Sequence, residues 1–394
     1  MLDIRIGQMI LIGLPKAEVD QTVLNEIKAG RVGSILIFEK NIPKSTSSFT
    51  ALKKVIWTYQ KAASIPLIVS IDQEGGKVNR LKEKYGFARS ITAQEMGKGK
   101  TLDSVRFYSE ATAATLAGLG INVNFAPVVD VAVNPNNTVI VKNGRSFSSN
   151  PDSVAFFAAE FMKPHRKFGV ATVLKHFPGH GSSLEDTHLG MADVSKTWTP
   201  SELIPYQRLL ATGNVDAVMS AHIVNKQLDP KGYPGTLSKR MIDSLLRKQF
   251  HFEGVVFSDD MQMQAITKEY GLEEAIKLAI NAGIDILCFS NNIQGSEERT
   301  ITKVHAIIRQ LVISGQISQD RIGESFDRII KLKTRLGANP EEYLQRELAT
   351  MRSELDALKQ QQPQKPVVKE VKPDTVTIVT DPEESNTKRK RKKH

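Results

Sequence analysis

The chain has 394 residues, of which 40% are hydrophobic and 24% are charged, and its formal net charge is +10. Its one cysteine, Cys288, excludes an intramolecular disulfide, and no apolar run approaches the roughly 20 residues that a transmembrane helix needs. This composition is typical of a globular protein, with room for one large domain or two smaller ones.

The N-terminal stretch MLDIRIGQMILIGL has a short apolar run. It has neither a basic region before that run nor a small-residue cleavage site after it. Both features are typical of secretory signal peptides, so we expect none within the chain. An export signal removed before Met1 stays open as an alternative.

Seven short β-branched segments predict buried strands, and helical patterns separate them. They are RVGSILIF (31–38), PLIVSIDQ (66–73), INVNFAPVVDV (121–131), VATVLKHF (170–177), DAVMSAHIV (216–224), GVVFSDD (254–260) and DILCFS (285–290). The helix-like segments include 153–168 and 272–283, and the second ends in Gly283, a typical helix stop. Alternating strands and helices over about 300 residues predict a single α/β domain, a parallel (β/α)8 TIM-like barrel. No dinucleotide-type glycine pattern follows the first segment, which disfavours a Rossmann domain.

Polar and charged side chains stand at the ends of several predicted strands. They are Asp72, Lys175, His176, His222, Asp259 and Asp260. Active sites of barrels are assembled from the carboxyl ends of different strands, so the pattern predicts one shared site. The alternative is that these positions are polar only because loops begin there.

The composition changes after residue 338. Apolar residues at spacings of four and three predict an amphipathic helix over 339–359, packed on the barrel. Residues 360–394 are rich in Gln, Pro, Lys and Glu and predict a disordered basic tail. The tail carries the run KRKRKK at 388–393, which has no interleaved aromatic residues, so we expect no nucleic-acid binding. We expect this tail to be solvated or to attach electrostatically to anionic wall polymer or membrane.

The segment KHFPGHGSSLEDTH (175–188) concentrates titratable side chains on glycine-rich backbone. A metal site is disfavoured, because Pro178 and the glycines break any helix that would align His176 with His180. Acid/base chemistry is favoured. In extended backbone Asp186 and His188 point to the same side, so the carboxylate can bond one imidazole nitrogen and select the tautomer. The alternative is that Asp186 only bonds backbone amides.

The adjacent carboxylates Asp259 and Asp260 offer a partner for this pair. Consecutive strand side chains face opposite ways, so we expect only one of them to point into the mouth of the barrel. A carboxylate there can act as a nucleophile or stabilise an oxocarbenium-like centre. A serine hydrolase is disfavoured, since the chain has no Gly-x-Ser-x-Gly motif.

Five further side chains suit a polyhydroxylated ligand, because carboxylates and cations together can bond several hydroxyl groups. They are Asp72, Arg80, Arg145, Lys175 and His176. Each could instead belong to a structural ion pair.

These motifs, in this order, resemble glycoside hydrolase family 3, in its subgroup of NagZ-type β-N-acetylglucosaminidases. The motifs are IGQMILIG, SIDQEGGKVNRL, NVNFAPVVDV, NGRSF, KHFPGHG-x4-DTH, MSAHI, GTLS and GVVFSDDM. The resemblance covers about residues 4 to 335, which leaves the C-terminal extension outside it. Thr187 stands where serine is common in this family, and Lys77 where arginine is frequent.

The resemblance implies a β-N-acetylhexosaminidase that removes terminal non-reducing β-linked N-acetylglucosamine with retention and without a cofactor or metal. It implies Asp259 as the nucleophile, His188 with Asp186 as the acid/base pair, and the five residues above as sugar ligands. Peptidoglycan fragments are the favoured substrates and chitin-derived oligosaccharides the alternative. We expect a monomer, in the bacterial cytoplasm or exported.

Three other functions stay open. A neutral histidine repels inorganic phosphate less than a carboxylate would, so the enzyme could be a phosphorylase that uses phosphate in place of water. A β-glucosidase is disfavoured by the Asp-x-His spacing. A non-catalytic glycan- or wall-binding barrel is disfavoured because a full set of catalytic residues is present.

Overall fold

The computed structural model describes residues 2–44, 47–98, 102–184, 192–263, 266, 269–292 and 301–337, with five positions between 349 and 356. Met1–Arg346 forms one compact unit and Glu347–His394 a second. Of the helix predicted over 339–359, the described positions 349, 352, 353, 355 and 356 are helical. The tail predicted over 360–394 lies outside the described residues, and the boundary at 338 stays a prediction.

Eight parallel strands close into a barrel, which confirms the predicted fold class. In order around it they are β1 (Ile10–Gly13), β2 (Ser34–Ile37), β3 (Ile68–Ile71), β4 (Val123–Asn124), β5 (Ala171–Phe177), β7 (Ala217–Ser220), β9 (Val255–Asp260) and β10 (Ile286–Phe289). Two short strands, β6 (Ala192–Asp193) and β8 (Ile223–Val224), pair with each other outside the barrel. Barrel strands pack on both faces, which explains why all seven residues of β5 are buried.

Helices lie between most of these strands. They are Leu2–Gln8, Gln21–Lys28, Ser48–Ala62, Ala93–Lys98, Leu102–Leu119, Pro151–Lys167, Ile204–Leu210, Leu272–Ala282, Ile301–Ile313 and Gln319–Leu336, with a π-helical segment at Arg240–Gln249. The predicted stop at Gly283 is confirmed: its φ of 120° is a conformation that favours glycine. No helix in the described ranges is both long enough and apolar enough to pass through a bilayer.

Two strand predictions needed correction. The sequence did not predict β1, because its four apolar residues adjoin a helix and show no alternation. The predicted strand 121–131 is a strand only at Val123–Asn124, since Pro127 cannot donate to a ladder. Beyond it the backbone bonds its neighbours irregularly, with the Val129 amide donating to the Lys175 carbonyl at 2.8 Å. That irregular course leads to Asp130, which is completely buried.

Candidate active site

A cavity of about 400 Å³ opens at the carboxyl end of the barrel, where the sequence predicted a shared site. Its walls include Leu36, Phe38, Asp72, Glu74, Arg80, Phe125, Arg145, Lys175, His176, His180, Met219, Asp259, Asp260, Cys288 and Ser290. A larger cavity of about 800 Å³ lies at the other end of the barrel, beside Val255 and the helix Gln319–Leu336. None of the predicted site residues lines that larger cavity, so we assign the candidate site to the smaller one.

Five charged side chains in the wall form one network. Lys175, which is only 2% exposed, places its Nζ 2.8 Å from Asp72 Oδ1 and 2.6 Å from Glu74 Oε1. Arg145 binds both oxygens of Glu74 at 2.7 Å, and Arg80 Nη2 lies 3.4 Å from Asp72 Oδ2. Each carboxylate therefore bonds two cations, and each of these contacts is charge-assisted.

This pairing decides the charge state of the network. Burial alone would raise the pKa of Glu74, but Arg145 and Lys175 outweigh it and hold that pKa well below its usual range. Burial would also raise the pKa of Asp72, but the cations Lys175 and Arg80 outweigh it, and the pKa of Asp72 is lowered. Both carboxyls are consequently ionised at neutral pH, and their oxygens are acceptors only.

His176 borders the same cavity and rests on a second buried carboxylate. Its Nδ1 lies 2.7 Å from Asp130 Oδ2, and its Nε2 lies 3.4 Å from Arg145 Nη2. Burial would raise the pKa of Asp130, but His176 and His180 lower it overall. Asp130 thus supports the histidine from behind the wall.

Asp259 and Asp260 both border the cavity, although we expected only one of them to point into the mouth of the barrel. The register explains the difference. Ile286 on β10 pairs with Phe257 on β9 and Cys288 pairs with Asp260, so β9 has one residue more than β10 in this interval, and the alternation of side chains is interrupted. Their surroundings still differ. Asp260 accepts the hydroxyl and amide of Ser290 and the amide of Gln262, and burial raises its pKa to about 6.

His222 also stands at a strand end, as predicted, but it lies behind the wall of the cavity. Its Nε2 donates to the backbone carbonyl of Asp260 at 2.9 Å, and its Nδ1 lies 2.9 Å from the hydroxyl of Thr236. It is completely buried. It therefore supports the end of β9, where the two carboxylates are.

Buried groups hold the start of the glycine-rich segment that follows β5. The carboxylate of Glu202 accepts the amides of Gly181 and Ser182 at 2.9 and 3.3 Å, and burial raises its pKa to about 7. A Cβ on Gly181 would come within 1.6 Å of the Val131 carbonyl oxygen, so the close approach requires glycine. The predicted pair Asp186 and His188 lies outside the described residues, and its role stays a prediction.

Six of the predicted site residues line this one cavity: Asp72, Arg80, Arg145, Lys175, His176 and Asp259. Sequence reasoning missed Glu74 and Asp130, although Glu74 lies two residues after Asp72 on the same motif. Within the ranges that the structure describes, no cluster of three or more histidine, cysteine or carboxylate side chains could hold a metal ion. The site can bind a polar ligand through paired charges and present a carboxylate to it.

Known proteins are similar to this chain in both sequence and fold. The sequence pattern described as "Glycosyl hydrolase family 3 N terminal domain" matches residues 1–332. A protein of Tolumonas auensis named "Beta-hexosaminidase" is 31% identical over 290 residues, which are 73% of this chain and 84% of that protein.

Two solved structures extend the likeness. A glycoside hydrolase family 3 β-N-acetylglucosaminidase from a Paenibacillus species matches with a TM-score of 0.79 and 32% identity over 86% of this chain; the chain spans 63% of that protein. A β-N-acetylhexosaminidase from Beutenbergia cavernae matches with a TM-score of 0.75 and 27% identity, over 85% of this chain and 98% of its own.

Proposed function

Since the chain belongs to glycoside hydrolase family 3 and is a glycoside hydrolase, we propose that it is a retaining β-N-acetylhexosaminidase. Its substrate is a terminal non-reducing β-linked N-acetylglucosamine. The proposal rests on one observation: Asp259 lines the same cavity as the paired charges of Asp72, Arg80, Arg145 and Lys175. The name of one solved neighbour, a β-N-acetylglucosaminidase, supports N-acetylglucosamine as the sugar.

Binding of the sugar follows from the charge network. Lys175 has three donor hydrogens and two carboxylate partners, so one donor can reach a hydroxyl group. The ionised carboxylate of Asp72 accepts hydrogen bonds from sugar hydroxyls, and Arg80 and Arg145 donate to sugar oxygens. Because each cation is already held by a carboxylate, little reorganisation is needed when the ligand arrives.

The proposed reaction has two steps. Asp259 attacks the anomeric carbon while protonated His188 donates a proton to the departing oxygen, which gives a covalent glycosyl-enzyme. His188, now neutral and oriented by Asp186, then takes a proton from water, which releases the sugar with its configuration retained. The spacing of Asp186 and His188 in the sequence supports their part in this reaction. Peptidoglycan fragments are the proposed natural substrates, since the motifs resemble the subgroup that acts on them.

The experiment that tests this function compares 4-nitrophenyl N-acetyl-β-glucosaminide with the corresponding β-glucoside. We expect hydrolysis of the first, and a kcat/KM lower by about 10²-fold or more for the second, because acetamide contacts are lost. Proton NMR should show the β-anomer as the first product. Sugar 1-phosphate formed in phosphate buffer would instead favour the phosphorylase, and inactivity on both glycosides would favour a binding protein.

His188→Ala should produce a loss that depends on the leaving group. With an unactivated N-acetylglucosamine disaccharide we expect kcat/KM to fall by about 10²- to 10⁴-fold, because the departing alkoxide needs a proton. With a 2,4-dinitrophenyl glycoside the first step needs no acid and should be nearly unchanged. His251→Ala is the control, since that histidine is exposed and lines the cavity at the other end of the barrel. Equal losses on both substrates would contradict the assignment of His188 as the acid.

A further inference from the structure

The carboxylate of Asp130 is completely buried and accepts three hydrogen bonds. Oδ2 lies 2.7 Å from His176 Nδ1, and Oδ1 accepts the backbone amides of His176 at 3.2 Å and His180 at 2.8 Å. Among the described residues its ion-pair partner is His176. The two backbone amides are donors, so the His176 ring nitrogen that bonds this carboxylate must also act as a donor.

The other side of the His176 ring faces a cation. Nε2 lies 3.4 Å from Arg145 Nη2, and a guanidinium can donate hydrogen bonds but cannot accept them. Nε2 must therefore present its lone pair, which leaves the ring hydrogen on Nδ1, where it is donated to Asp130. Arg145 itself is held in place by both oxygens of Glu74. The two neighbours together select one tautomer of the neutral ring.

We propose that Asp130 is a positioning residue of the glycosidase site: it holds His176 in the Nδ1–H tautomer so that the Nε2 lone pair faces the sugar cavity. In that state Nε2 is an acceptor, and because its contact with Arg145 Nη2 is long, at 3.4 Å, its one lone pair can be shared with a sugar hydroxyl. This part of the inference rests on the proposed function, whereas the tautomer itself does not. The same carboxylate bonds the His180 amide and so connects the histidine to the backbone four residues further along.

Asparagine cannot replace Asp130 without breaking this arrangement. If its oxygen keeps the two backbone amides, its NH₂ group faces Nδ1, which must then become an acceptor. The ring hydrogen moves to Nε2 and points at Arg145, which also donates. If the side-chain amide is turned round, the NH₂ group meets two backbone N–H groups instead. In either orientation one hydrogen-bond donor faces another, which is unfavourable in a buried site.

The test is Asp130→Asn in the full chain, with ¹⁵N-labelled histidine and the His176 signals identified by comparison with His176→Gln. In the wild type without substrate we expect ¹⁵N shifts of a protonated Nδ1 and an unprotonated Nε2. In Asp130→Asn we expect the two shifts to exchange, and kcat/KM for 4-nitrophenyl N-acetyl-β-glucosaminide to fall by about 10²-fold. A purely structural role of Asp130 would not exchange the shifts.

Asp229→Asn is the matched control. Asp229 is also buried, at 2% exposure, but it bonds the hydroxyl of Ser238 outside the cavity. We expect this control to change neither the His176 shifts nor kcat/KM. A double-mutant cycle adds a second readout: in a His176→Ala background, Asp130→Asn should lower kcat/KM by much less than in the wild type.

Two results would overturn the inference. One is a wild-type His176 with its hydrogen on Nε2, which is measurable even if Asp130→Asn fails to fold. The other is an Asp130→Asn variant with the wild-type tautomer and undiminished kcat/KM. If the wild-type protein hydrolyses neither glycoside, the proposed function fails, whereas the ¹⁵N shifts still decide the tautomer.

Discussion

Asp259→Ala is expected to lower kcat for hydrolysis of 4-nitrophenyl N-acetyl-β-glucosaminide by on the order of 10⁵-fold. The carboxylate lies at the end of β9 on the wall of the cavity, and the Asp260 amide donates to its Oδ1 at 2.7 Å. That bond helps to orient the side chain for attack on the anomeric carbon. Without the carboxylate no glycosyl-enzyme can form. Steady-state rates measure the fall in kcat. Mass spectrometry with a slow fluorinated substrate shows whether the glycosyl-enzyme forms.

Azide provides the critical control for this prediction. A small anion that enters the space left by the side chain should restore turnover and give a glycosyl azide of inverted configuration, because one displacement replaces two. Asp260→Asn is the matched variant, since its carboxyl is occupied by Ser290 and Gln262. We expect it to form the glycosyl-enzyme still. If Asp260→Asn loses that intermediate while Asp259→Ala keeps it, the two roles have to be exchanged.

Glu74→Gln is expected to lower the free energy of unfolding by about 3 kcal/mol. The change keeps the shape of the side chain but removes the charge that Arg145 binds through both oxygens and that Lys175 approaches to 2.6 Å. Lys175 is nearly inaccessible to water and would retain Asp72 as its anionic partner. Urea unfolding at pH 7 measures the loss. KM should rise as well, because Arg145 and Lys175 would no longer be held in place for the sugar.

The pH dependence of the free energy of unfolding is a second test of the Glu74→Gln prediction. The pKa of Glu74 is depressed in the folded state, so its contribution is fully present above the unfolded pKa of about 4.3. It is lost as the pH falls below that value towards the folded pKa. The unfolding free energies of the wild type and Glu74→Gln should therefore converge in acid. A constant difference from pH 7 down to the acid transition would contradict this account.

Glu160→Gln is the control for Glu74→Gln. Glu160 is also buried and also bonds two cations, Arg106 and Lys163. Those cations are 52% and 65% exposed, so water can solvate them when the carboxylate is removed. We expect a loss of less than about 1 kcal/mol. Similar losses of unfolding free energy for the two variants would contradict this account, because the burial of Lys175 and Arg145 would then not increase the cost of removing their carboxylate partner.

Much of the fold could be predicted from the sequence, because periodicity and chain breaks are local properties. The sequence predicted a strand at 170–177 and the structure has β5 at Ala171–Phe177, and Gly283 ends its helix as expected. β1 was missed because four apolar residues beside a helix are ambiguous until the neighbouring strands β2 and β10 pair with them. Pro127 ended β4 early, but where the backbone went next depended on Lys175 across the barrel.

The sequence by itself determined which residues could perform chemistry, since polar side chains at strand ends and the motifs around them are visible in one dimension. Asp72, Lys175, His176 and Asp259 were predicted in this way, and they line one cavity. Only the tertiary structure decided which carboxylate holds which cation. Lys175 lies 103 positions from Asp72, and Asp130 lies 46 positions from His176. Charge state and tautomer depend on burial and on such distant partners, and neither is encoded in the spacing of a motif.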